Sequence, residues 1–118
     1  MQNWIDFIAR QGAAEGVAHF GDPKAELAVA RDGTVLAPLT GDGLIRASGE
    51  DTAGFLHNLL TNDVKNLSAG SARFAGLCTA KGRLIATFTI WHDGADLLLM
   101  LSDDILPGIL KKLSMYVL

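Results

Sequence analysis

The chain has 118 residues, a formal charge of −3 and 49% hydrophobic side chains, which suits one domain, or a piece of a larger one, with a buried core. It carries no basic stripe, so the electrostatic footprint of a nucleic-acid binder is excluded. A single cysteine, Cys78, rules out an internal disulfide and fits a reducing, cytoplasmic compartment.

The opening MQNWIDFIARQG holds Asp6 and no basic stretch, unlike a secretory leader. Within it Trp4, Ile5 and Ile8 fall at helical spacing, predicting a short helix over Asn3–Arg10 that Gly12 ends. Residues 11–24, with three glycines and a proline, read as an irregular connector. From Glu26 to Leu39 the pattern suggests two strands around a tight turn at Asp32-Gly33. Gly43–Ala47 reads as a strand. Ser48 or Asp51 then offers a cap for a helix whose apolar stripe is Ala53, Leu56, Leu59 and Leu60.

Thr61-Asn62-Asp63 breaks that helix. Arg73–Thr79 and Arg83–Trp91 read as an antiparallel pair joined at Ala80-Lys81-Gly82, with Leu84, Ala86, Phe88 and Ile90 on one face and Ile85, Thr87, Thr89 and Trp91 on the other. After a turn at His92-Asp93-Gly94, Ala95–Leu101 is a continuous apolar strand, expected to be covered on both faces and far too short to cross a bilayer. A last helix follows Ser102-Asp103-Asp104. It keeps Pro107 in its first turn and Lys111-Lys112 near its end, and buries Ile105, Leu106, Ile109, Leu110 and Leu113. The expected fold is α+β: an antiparallel sheet with helices packed on one face. Residues 1–24 are its helix and connector, and 25–118 its body. Tyr-Val-Leu118 has the look of a strand being entered, so the chain reads as a fragment truncated at its C-terminus.

Chemistry-bearing residues are sparse. His19, His57 and His92 are scattered, and none pairs with Cys78 at a metal-ligand spacing. No catalytic or metal residue is assigned. Cys78 reads as a small buried hydrophobe in preference to a reactive thiol. Asn62 and Asp63 suit turn formation by short polar side chains, or the polar lining of a cleft. Lys81 and Arg83 flank Gly82 at a hairpin tip, where they are either a solvated turn or a site for a carboxylate such as a glutamate tail.

The ordered string Gly43-Leu-Ile-Arg-Ala-Ser-Gly-Glu-Asp51, Phe55-Leu56, Leu60-Thr-Asn-Asp-Val64 and Cys78-Thr-Ala-Lys-Gly-Arg-Leu-Ile85 resembles the first part of YgfZ-like proteins. These share a folate-binding superfamily with the glycine-cleavage T-protein, an aminomethyltransferase. The resemblance implies tetrahydrofolate as cofactor, bound in a central cavity between domains. It implies a role in iron–sulfur cluster assembly or repair and, through cluster enzymes, in tRNA modification, with iron–sulfur enzymes or assembly proteins as partners. Neither direct nucleic-acid binding nor a membrane is expected. Asn62, Asp63, Lys81 and Arg83 become the expected folate-facing residues. T-protein sequences carry an acidic pair on the strand after the hairpin, and Ala86 and Thr87 stand at the matching positions here. Neither can hold a negative charge, which argues against aminomethyl transfer. The alternatives are an active aminomethyltransferase and a ligand-free interaction module.

Overall fold

The computed structural model describes residues 2–117 and divides into two compact units, Met1–Thr40 and Gly41–Leu118. In the first unit, α1 (Gln2–Arg10) is strongly amphipathic and buries Ile8, while the Trp4 and Phe7 rings stack 5.7 Å apart on its surface. Gly12, at φ +91°, takes the left-handed conformation that ends the helix. A single turn of 3-10 helix (Glu15–Val17) lies in the connector.

Residues 26–39 do not form the expected hairpin. Pro23–Asp32 is instead a helix, α2. Asp22 caps it by accepting the Ala25 N–H at 3.1 Å, and Pro23 sits in the first turn, where a missing N–H costs nothing. The Ala-rich run Ala25–Ala30 then favours helix over strand. Gly33 closes α2 by donating its N–H to the Val29 carbonyl at 2.7 Å, in an extended conformation and not in a hairpin turn.

The second unit is α+β. Strands β1 (Asp42–Ala47), β2 (Ala72–Cys78), β3 (Leu84–Asp93) and β4 (Asp96–Ser102) form one antiparallel sheet in the order β1-β4-β3-β2. Each link between neighbours is antiparallel, so side chains alternate cleanly between two faces. One face carries Ile45, Leu97, Leu99, Leu101, Ala86, Phe88, Ile90, Ala75 and Leu77 into the core. Helices α3 (Thr52–Leu59) and α4 (Leu106–Tyr116) pack there through Leu56, Ile109 and Leu113. Burying a side chain such as Phe88 or Leu99 contributes about 1.5–3 kcal/mol, so this layer holds the unit together.

The opposite face is less covered than the apolar sequence of β4 suggested. Register aligns Leu44, Met100, Thr89 and Phe74 in one row across all four strands, with Leu98 and Trp91 in the next. Leu44 is 54% and Phe74 79% exposed, while Leu98, Met100 and Trp91 are half-buried.

At the C-terminal end α4 runs on through Tyr116, so the strand expected at Tyr-Val-Leu118 is not entered at Tyr116; Leu118 lies outside the described residues. Lys111 and Lys112 consequently fall inside the helix and not in its last turn. Ile105 and Leu110 of the expected buried stripe are exposed.

Candidate functional site

The segment after α3 folds back along β2. Leu60 pairs with Leu77 in an isolated bridge. Thr61 donates its N–H to the Gly76 carbonyl at 3.0 Å and accepts the Gly76 N–H on its hydroxyl at 2.8 Å. The Asn62 side-chain amide donates to the Phe74 carbonyl at 2.8 Å. β2 is an edge strand, and these bonds occupy backbone groups that would otherwise face outward unpaired.

Asp63 anchors the next turn. Its carboxylate accepts the Asn66 backbone N–H at 3.0 Å and the Asn66 side-chain amide at 2.6 Å. Arg73 donates to the Asp63 carbonyl at 2.8 Å and lies 3.8 Å from the carboxylate, and His57 Nδ1 is 3.2 Å from it. The two bonds from Asn66, helped by His57 and Arg73, hold the Asp63 carboxyl below the usual carboxylate range.

Lys81 and Arg83 sit at the β2–β3 hairpin tip, where Gly82 takes φ +82° and the Arg83 N–H bonds the Thr79 hydroxyl at 3.1 Å. Both side chains are exposed, and neither makes an ion pair among the described residues. Asn62 holds β2 at Phe74, and the tip begins four residues further along the strand, about 13 Å away. The four predicted residues thus fall into two groups at opposite ends of one hairpin. Asn62 and Asp63 spend their hydrogen bonds inside the fold; Lys81 and Arg83 are open to solvent.

Sequence reasoning missed the partners of Asp63. The spacing from Asp63 to Asn66, an aspartate bonding an amide three residues on, was the one readable signal. His57 and Arg73 arrive only through tertiary folding. A second cluster also went unread. Arg46 on β1 bridges Asp93 at 2.7 Å and Asp96 at 2.8 Å; the two bonds raise its pKa, and the Arg46 bond, helped by Ser48, lowers that of Asp96.

Ala86 and Thr87 occupy different surroundings. Ala86 points into the core at 5% exposure, whereas Thr87 is exposed on the open face opposite Gly76. Among the described residues, no group of three His, Cys, Asp or Glu converges as metal ligands, and no helix is long and apolar enough to cross a membrane. A cavity of about 550 Å³ lies beside β1, lined by Ala47, Ser48, Phe55 and Leu110 among others.

No family model matches the chain. It is 31% identical over 90 residues to the aminomethyltransferase of Bacillus subtilis (strain 168), covering 76% of this chain and 24% of that protein. It is 31% identical over 74 residues to the tRNA-modifying protein YgfZ of Vibrio vulnificus (strain YJ016), covering 63% of this chain and 23% of that one. The YgfZ of Blochmanniella pennsylvanica (strain BPEN) is 37% identical over 49 residues, 42% of this chain and 15% of its own length. The chain spans about a quarter of the length of the first two of these curated relatives. Similarity both to aminomethyltransferases and to YgfZ supports the superfamily that joins them.

Proposed function

We propose that the chain contributes to a tetrahydrofolate-binding protein of the non-transferase branch, one that supports iron–sulfur cluster assembly or repair and, through it, tRNA modification. The observation that carries this reading is the open sheet face. Leu44, Met100 and Phe74 form a row there, interrupted by Thr89, with Leu98 and Trp91 beside it, a largely apolar surface suited to the flat ring system of a folate. Thr87 lies on that same face, where the T-protein pattern has a carboxylate. A hydroxyl in its place can hydrogen-bond a ligand but cannot stabilise a developing cation. Lys81 and Arg83 at the hairpin tip, with no ion-pair partner among the described residues, are two cations for a carboxylate tail. Asn62 and Asp63 support the hairpin from its other end. Iron–sulfur enzymes or their assembly proteins are the proposed partners, in the cytoplasm.

The test is calorimetric titration of tetrahydrofolate into the 118-residue chain and into the longest product of its coding sequence. Saturable heat is expected from the longer product, weakened by Lys81→Ala with Arg83→Ala, and weaker binding from the shorter chain because less of a ligand's surface is buried. No heat and no thermal shift from either points to an interaction module without a ligand. Robust glycine cleavage with a lipoyl carrier protein and tetrahydrofolate overturns the non-transferase reading. Deleting the gene is expected to lower the activity of iron–sulfur enzymes, tRNA-thiolating ones included.

A further inference from the structure

His57 is the one titratable side chain within α3, and a single atom of its ring has three polar neighbours. Nδ1 lies 3.2 Å from the Val64 N–H nitrogen, 3.5 Å from that of Lys65, and 3.2 Å from Asp63 Oδ1. A ring nitrogen either holds a proton and donates or holds a lone pair and accepts. It cannot serve a backbone N–H and a carboxylate together.

In the neutral ring with its proton on Nε2, Nδ1 accepts from Val64 and presents its lone pair to Asp63. In the imidazolium both nitrogens donate. Nδ1 then bonds the Asp63 carboxylate, and the Val64 N–H is left without its acceptor. Val64 is 2% exposed, so its N–H does not reach water unless the backbone moves.

We propose that His57 is a proton-operated latch on the corner Leu60–Lys65: the neutral ring holds the Val64 backbone, and protonation exchanges that hold for an ion pair with Asp63. The charged groups about this contact are Asp63, 3.2 Å from Nδ1, Arg73, 3.8 Å from the Asp63 carboxylate, and Lys65, whose backbone nitrogen is 3.5 Å from Nδ1. The depressed carboxyl of Asp63 keeps the anionic partner present through mildly acidic conditions. The corner governed by the latch also carries Thr61 and Asn62, which clip the edge of β2, so release at Val64 loosens the strand that leads to Lys81 and Arg83.

The test is a pH titration of the whole 118-residue chain by ¹H–¹⁵N NMR, with the His57 ring and the Val64 amide followed together. The Val64 amide is expected to shift with the same midpoint as the ring. Its exchange protection, relative to the buried core amide of Leu99, falls about tenfold as the ring is protonated. In Asp63→Asn the imidazolium has no carboxylate to bond, so the ion-pair signature at Nδ1 is lost. In His57→Gln the change at Val64 across the native ring's titration range disappears. An unchanged Val64 amide across the ring titration in the native chain overturns the latch on its own, whether or not either variant folds. So does a Val64 response in that same pH range that survives His57→Gln. Folate binding enters none of these readouts, so the latch and the functional proposal stand or fall separately.

Discussion

Two adjacent residues, Ala86 and Thr87, face opposite sides of the sheet, and their tolerance of charge differs accordingly. Thr87→Asp places a carboxylate in solvent, and urea denaturation is expected to show a change within about 1 kcal/mol. Ala86→Asp places it in the core beside Phe88 and Leu77, where no charged side chain is buried among the described residues, and is expected to abolish cooperative folding. The comparison also bears on function. If Thr87→Asp folds but gains no aminomethyl transfer, the missing carboxylate is not the sole obstacle. Asp63 carries a separate expectation. Its carboxyl is held low in the folded state, so its contribution to stability is complete above the unfolded value, near pH 4, and fades as pH falls through the folded one. Asp63→Asn is therefore expected to lose less stability between pH 5 and 2 than the native chain, although it starts less stable at neutral pH. Urea midpoints across that range are the check.

Most elements of the second unit were legible because period-2 alternation in β3 and the Leu56 stripe of α3 point to one and the same core. The first unit was not. Ala25-Glu-Leu-Ala-Val-Ala30 is a short, mostly apolar run ahead of Asp32-Gly33, which suits a strand entering a hairpin, yet each small alanine also fits a helix, and the deciding signal was Asp22-Pro23 just upstream. α2 buries none of its residues, so it depends on its cap and propensity more than on packing. Asp22→Ala is accordingly expected to cost about 0.5–2 kcal/mol locally and to fray α2 without unfolding the sheet. Loss of amide protection at Ala25 with unchanged protection at Leu99 is the signature. The candidate site was half legible for a related reason. Turn residues such as Asn62 and Lys81 stand out in any sequence. Their assignment to internal bonds or to solvent depends on which strand edge folds against them, and no local pattern encodes that.

At the scale of the whole molecule, the sheet has two rims treated differently. Thr61 and Asn62 stopper the β2 rim with side-chain bonds, whereas among the described residues no strand pairs with the outer edge of β1. Thr61→Val with Asn62→Ala unstoppers the second rim, and concentration-dependent light scattering is expected to rise in the double variant relative to the native chain. The native arrangement acts as a chain terminator does in polymer chemistry. A subunit with one reactive end can couple once and is then spent, while one with two reactive ends propagates into a fibre. By blocking one end with the Leu60–Asn62 segment, the fold limits stray pairing through that edge.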